Sequence, residues 1–444
     1  MEETAPPAGS SPEPNLAPPE LLPVVPPEPL PALVPAARPV GPVEAAERIQ
    51  TVDILRGFAI LGIFVVNMGA FSAPFMLVFV EPDHWTAWYD RVAQILVAWL
   101  ATGKFYTLFS FLFGLGLSIQ MTRVESRGGR FVPLYVRRLL ALLLIGLVHA
   151  FLIWMGDILV SYALLGFILL LFRRRSETTL KAWFIACFLL PLVLMTIGAA
   201  WGQFGSGESR PEEQMARMSE TVDDSMRVYA AGTFREIMER RALDAADILG
   251  FLPIYGGQIL ALFLAGLWAG RRRLCEQIPE HVPLLRRARN WALPVGLALS
   301  GVFALTYEST NPLAPDFRGL GIQVCNAIGA TSLSLAYACG IALLVQREEW
   351  RRRLGPIAAV GRTALSNYFL QSIVSTLIFY SYGLGLYGKV GPAAGLLLVA
   401  AVYAIQIPLS NWWLGRFRFG PAEWLWRSLT YARVQPMRAQ PARP

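Results

Sequence analysis

The chain carries about ten stretches of roughly twenty residues that are almost free of charge, the length a helix needs to cross the hydrocarbon core of a bilayer. Read by hydropathy, they fall at about 54–72, 91–121, 137–155, 157–172, 182–202, 247–270, 291–307, 320–345, 356–380 and 393–412. Lipid offers a backbone N–H or C=O no partner, so such a sequence is confined to structures that satisfy those groups internally. The expected fold is therefore all-α, a polytopic transmembrane bundle of about ten spans. The second stretch is too long for one crossing, and Gly103 in "TGKFYT" predicts a break inside it.

Basic residues set the orientation. Lys and Arg total 39 against 31 Asp and Glu, a formal net charge of +8, but the excess gathers in short loops between apolar stretches. Arg123, Arg127, Arg130, Arg137 and Arg138, then Arg173 to Arg175 with Lys181, Arg271 to Arg273 with Arg286, Arg287 and Arg289, and Arg347 with Arg351 to Arg353 all fall on one side of a ten-span arrangement. The positive-inside rule makes that side cytoplasmic and puts both termini there. The charge is thus read as topology, and no nucleic-acid partner is expected. Cys187, Cys275, Cys325 and Cys339 are scattered through apolar segments without metal or redox spacing, so neither a disulfide framework nor a metal site is expected.

Residues 1–46, rich in Pro, Glu and Ala, have no basic region leading into an apolar core and read as a disordered cytoplasmic tail. Residues 47–202 hold the first transmembrane helices and 247–412 the second set. Between them 203–246 is acid-rich and extracytoplasmic, with helical periodicity at Met215, Met218, Val222 and Met226. Residues 413–444 read as a basic cytoplasmic tail.

Polar residues inside spans are costly, so they mark packing contacts or sites. In "VDILRGFAILGIFVVN" Arg56 precedes Asn67 by eleven residues, which returns the side chain to nearly the same helix face about 16 Å further along. Asp53, one turn before Arg56, can cap the helix start and pair with the guanidinium. The same interval separates Arg138 from His149 in "RRLLALLLIGLVHAFLIWMGD". Histidine is the side chain suited to moving a proton near neutral pH. Asp157, eight residues on, can orient that imidazole or cap the fourth helix. A second stripe, Thr363, Asn367, Gln371 and Ser375 in "GRTALSNYFLQSIVS", must face protein or a watery cavity, either binding a polar substrate or joining helices. Lys104, near the outer end of a span, is expected to snorkel to the interface.

The segments "DILRGFAILGIFVVN", "KFYTLFSFLFGLG", "GLVHAFLIWMGDILVSYALLG", "AVGRTALSNYFLQS" and "FGPAEWLWRSLTY", in that order, resemble the YeiB family of bacterial inner-membrane proteins, a domain-of-unknown-function family. More distantly the chain is similar to transmembrane acyltransferases, which move an acyl group from cytoplasmic acyl-CoA to a glycan on the far side. OafA-like O-acyltransferases carry an arginine, ten residues and a catalytic histidine in their first helix; here Arg56 matches and Asn67 stands at the histidine position. The lysosomal heparan-α-glucosaminide N-acetyltransferase family has a similar arginine-to-asparagine helix and a histidine in the next segment, where this chain has His84.

What the resemblance implies is a multi-pass protein of the bacterial inner membrane that uses acyl-CoA as donor and a glycan or small molecule as acceptor, without a metal. Arg56 and Arg138 would attract CoA phosphates beside Asp53, His149 with Asp157 would take the acceptor's proton, and Asn67 would donate to the oxyanion. Asn367 and Gln371 would bind substrate. The residues alone also allow a proton-coupled transporter of a small polar solute, with His149 and Asp157 relaying protons, or a non-catalytic scaffold.

Overall fold

The computed structural model describes residues 1, 2, 9, 49–204, 211–309 and 317–438. Apart from residues 1, 2 and 9 the expected Pro-rich tail lies outside them, as do 205–210 of the acidic segment and everything after 438. The helices belong to one unit, residues 40–444. In chain order they are α1 (Gln50–Ser72), α2 (Leu77–Val80), α3 (Trp88–Leu100), α4 (Lys104–Ser126), α5 (Phe131–Leu152), α6 (Leu159–Leu171), α7 (Glu177–Phe204) and α8 (Pro211–Ala231). They continue as α9 (Phe234–Gly250), α10 (Leu252–Arg271), α11 (Ile278–Thr306), α12 (Phe317–Leu344), α13 (Glu348–Arg362), α14 (Ala364–Phe379), α15 (Pro392–Arg416) and α16 (Pro421–Tyr431). The described residues contain no strand beyond an isolated bridge between Phe417 and Arg438.

Seven stretches are long and apolar enough to cross a membrane: α1, α3 with α4, α5, the first 22 residues of α7, α10, α12 and α15; α6 and α14 are shorter apolar helices. The chain is a multi-pass membrane protein. α11 is not one of the seven, because its first half carries Arg286, Arg287 and Arg289. Helix faces agree with this placement. On α5, Leu140, Leu144 and Val148 are exposed while Tyr135, Leu139, Leu142 and His149 on the opposite side are buried, the pattern of a helix with lipid on one side and protein on the other. The acidic segment forms α8 and α9, and Met218 and Val222 are the buried residues of its expected periodic face.

Helix breaks are few, and each is tied down. Gly103 adopts φ +84, a left-handed conformation that costs glycine nothing, and separates α3 from α4 where the sequence predicts it. A second break, not foreseen, falls at Thr363 within the stretch 356–380 and divides α13 from α14. It leaves the first N–H groups of α14 without helical acceptors. Glu423 of α16 supplies one: its carboxylate accepts from Leu365 N at 2.6 Å, from Ser366 N at 3.2 Å and from Ser366 Oγ at 2.5 Å. A negative charge there also complements the helix dipole.

The segment after 413, expected as a tail, is therefore part of the fold as far as residue 438. α16 docks on α5 through Trp426, whose Nε1 donates to Arg138 O at 2.9 Å. Nearby, α1 and α13 touch through glycine. A Cβ on Gly361 would lie 1.8 Å from Asp53 O, and one on Gly57 would lie 2.3 Å from Ile357 O. No larger residue allows so close a crossing, and it brings Arg362 beside Asp53 and Arg56.

Glu423→Ala should cost about 2 kcal/mol by removing a buried charged acceptor from three donors. Thermal unfolding of the detergent-solubilised protein measures this; Glu423→Gln, which keeps one acceptor oxygen, should lose less.

Candidate functional site

His149 sits in the last turn of α5, where its carbonyl accepts from Ile153 N and Trp154 N, both at 2.9 Å, and turns the chain back toward α6. The turn brings Asp157 against the imidazole. Nδ1 lies 2.9 Å from Asp157 Oδ1, and the other carboxylate oxygen accepts from Val160 N at 2.8 Å. The two roles open to Asp157 are thus performed together, one oxygen orienting the histidine and the other satisfying the start of α6. A carboxylate at Nδ1 fixes that nitrogen as the donor, so neutral imidazole presents Nε2 as an acceptor. Nε2 lies 3.0 Å from Ser372 Oγ on α14, which also reaches Tyr368 O at 3.1 Å. His149 and Ser372 are 0% exposed and Asp157 is 6% exposed. The ring is clamped between Phe369, stacked at 5.0 Å, and Tyr368 at 4.8 Å.

Asn67 lines a cavity of about 270 Å³ with Tyr106, Tyr162, Tyr255 and Tyr368, and with Gly103 from the break before α4 and Gly156 from the turn between α5 and α6. The tyrosine hydroxyls are engaged: Tyr106 donates to Gln258, Tyr162 to Tyr106 O, Tyr368 to Gly156 O, and Tyr255 pairs with Ser161. His149 is not on this wall. Tyr368 stands between, with its ring against the imidazole and its surface on the cavity. The imidazole and the Asn67 carboxamide are therefore separated by a single aromatic side chain rather than open to one chamber.

A second cavity, about 170 Å³, lies further along the same two helices, α1 and α4. Asp53, Arg56, Arg123, Arg138, Arg362, Arg418 and Arg427 line it, all six arginines half-buried. Arg56 Nη1 donates to Asp53 Oδ1 at 3.5 Å, while the Arg138 guanidinium lies 4.0 Å above the Trp426 ring. Two helical paths thus run from an arginine here to a polar group deeper in the bundle, Arg56 to Asn67 and Arg138 to His149, while Arg362 and Ser372 stand on either side of the break at Thr363. Eleven residues span about 16 Å of helix.

The matched family model, described as "Protein of unknown function (DUF418)", covers residues 269–433, from the end of α10 through α16. The protein "YxaH" of Bacillus subtilis (strain 168) is 40% identical over 410 residues, 88% of this chain and 96% of that one. This chain belongs to the DUF418 family. "YeiB" of Escherichia coli (strain K12) is 30% identical over 88% of this chain and 98% of its own, and a 39.9 kDa protein from the amylase 3′ region of Bacillus acidopullulyticus is 29% identical over 89% and 97%. All three are described as uncharacterised. The resemblance to the YeiB family therefore stands along nearly the whole chain.

Within this DUF418 protein some sequence-derived residues stand apart from both cavities. Asn367 Nδ2 donates to Ser410 Oγ at 3.0 Å and Thr363 Oγ1 at 2.9 Å, and Gln371 Nε2 donates to Gln406 Oε1 at 2.9 Å, so this stripe joins α14 to α15 and reaches neither cavity. Lys104 does not snorkel: it is 0% exposed and donates to Ala98 O at 3.0 Å, closing the break before α4. Asp53 is a first-turn residue rather than the cap, because α1 already starts at Gln50 after Ile49. His84 meets Glu81 at 2.8 Å in a loop away from both cavities.

Sequence reasoning did not assign Ser372, Arg123, Arg362, Arg418 or Arg427 to a site. The arginine-to-polar interval that singled out Arg138 and His149 recurs one residue shorter in Arg362 and Ser372, and was the available signal. Asn367→Ala should destabilise the protein by about 1 kcal/mol, the worth of interhelical hydrogen bonds, with ligand binding by the folded molecules unchanged. Thermal unfolding paired with a binding titration separates the two effects.

Proposed function

We propose that the protein is an integral-membrane acyltransferase that moves an acyl group from cytoplasmic acyl-CoA to an extracytoplasmic glycan or small acceptor. The observation that carries this reading is the buried Asp157–His149 pair, with Nε2 free of the carboxylate and one side chain away from a cavity containing Asn67. Acyl transfer needs a base for the acceptor's proton and a donor for the oxyanion, and an oriented imidazole and a carboxamide are suited to those roles.

The donor's phosphates would lie among the arginines, where Arg56 and Arg138 offer charge-assisted hydrogen bonds. Its thioester would then reach inward along the roughly 16 Å that separates the two layers. Tyr368 is the barrier in this arrangement. Its side chain, whose hydroxyl bonds the Gly156 carbonyl at 3.2 Å and the Ile158 backbone, must swing aside, and Ser372 Oγ must yield its place at Nε2, for an acceptor hydroxyl or amine to reach that nitrogen. Proton transfer to Nε2 would put a positive imidazolium against Asp157, which its carboxylate stabilises. Asn67 Nδ2 would donate to the carbonyl oxygen as it gains charge. The transporter reading draws less support, because Asn367 and Gln371, the polar stripe it would use as a route, are consumed in helix contacts.

Purified protein in nanodiscs, given labelled acetyl-CoA and envelope glycans, tests the reading. Turnover should fall about a hundred- to ten-thousand-fold in His149→Ala. Asp157→Asn, which removes the charge that fixes the ring, should also lower kcat strongly with little change in KM. Wild-type rates in His149→Ala eliminate the assigned base.

A further inference from the structure

The arginine-lined cavity draws its walls from five parts of the chain: Arg56 from α1, Arg123 from α4, Arg138 from α5, Arg362 from the end of α13, and Arg418 with Arg427 from the turn before α16 and from α16 itself. Orientation in the membrane needs basic residues only on loops, as in Arg173 to Arg175, and does not need them gathered around one hole. Like charges brought together repel, and the only carboxylate on this wall is Asp53. Such a cluster is a stable arrangement when an anion completes it.

The guanidinium groups are also held in place. Arg138 stacks on Trp426 at 4.0 Å, and Arg427 on Phe419 at 4.7 Å. Stacking fixes a guanidinium by its face, and for Arg138 it leaves the N–H edge for a bidentate oxyanion. Arg362 Nε is buried and has no hydrogen-bond partner among the described residues. Six guanidinium groups exceed what one phosphate can neutralise, while 170 Å³ admits phosphate groups but not a complete nucleotide.

We propose that this cavity is a diphosphate site: it takes a ligand with two or more linked phosphate groups and leaves the rest of that ligand outside or directed into the bundle. The α16 segment is one wall of the site, held there by Glu423 and Trp426. The site does not depend on the transfer chemistry. A soluble carrier such as CoA and a membrane lipid with a diphosphate headgroup present the same chemistry.

The test is calorimetric titration of the full-length protein in nanodiscs with inorganic pyrophosphate and with inorganic phosphate. Pyrophosphate should bind at least about tenfold more tightly, since each added charge-assisted contact carries about that factor, and should weaken steeply with salt. Arg362→Gln and Arg427→Gln should each lose about tenfold, and the double variant about a hundredfold, while the exposed Arg174→Gln stays at the wild-type value. Displacement of pyrophosphate by CoA identifies the soluble source. Displacement by a prenyl diphosphate in the nanodisc but not by CoA upholds the site and overturns the acyl-CoA reading. Failure of the wild-type protein to prefer pyrophosphate, or equal binding in the folded double variant, overturns the site even if acyl-CoA is turned over.

Discussion

Lipid supplies no hydrogen bonds, so every interruption of a helix in this bundle has to be satisfied by protein. Three interruptions carry the architecture. At Gly103, Ala101 N and Thr102 N both donate to Val97 O, and the buried Lys104 ammonium takes Ala98 O. Between α5 and α6, His149 O accepts two amides and Asp157 accepts Val160 N. At Thr363, the carboxylate of Glu423 reaches across from another helix to cap α14. The groups that close the first two breaks flank the aromatic cavity, and the third break sets Arg362 on the arginine-lined cavity and Ser372 against His149. Sites and breaks coincide because irregular backbone is tolerated only where protein or a cavity surrounds it.

Charge is layered in the same way. The outer layer holds guanidinium groups, which remain ionised and are half-buried where water can still reach them. The inner layer holds neutral or paired groups: a carboxamide, a serine and an imidazole whose charge is managed by one carboxylate. A lone ionised carboxylate at that depth would be expensive, and its contacts with His149 and Val160 N compensate for burial. Along α1 and α5 the arginine layer lies about 16 Å of helix away from the layer of Asn67 and His149.

Much of the fold was legible in the sequence. Runs of apolar residues located the helices, Gly103 located a break, and eleven-residue intervals placed Arg56 and Arg138 at one level. What escaped were relationships set by tertiary contact. The break at Thr363 is not announced by the nearby Gly361, which is helical and serves the crossing with α1; it depends on a carboxylate 60 residues later in the chain. The basic segment after 413 read as a tail because α16 is short and mixed in character; Glu423, Trp426 and the aromatic support of Arg427 give it a docked position. Asn367 and Gln371 were visible as a polar stripe, but periodicity cannot tell a helix contact from a cavity wall. Ser410 and Gln406, their partners on α15, decide the matter.

The central claim is that the guanidinium layer faces the cytoplasm while the His149 layer is sealed inside. Cysteine labelling in oriented membrane vesicles tests it most directly, using a functional chain with Cys187, Cys275, Cys325 and Cys339 replaced and a single new cysteine at position 138, 362 or 372. A membrane-impermeant maleimide should modify positions 138 and 362 in inside-out vesicles only and leave position 372 unmodified from either side. Modification of 138 and 362 from the outer face, or rapid modification of 372 in the resting protein, would contradict the account.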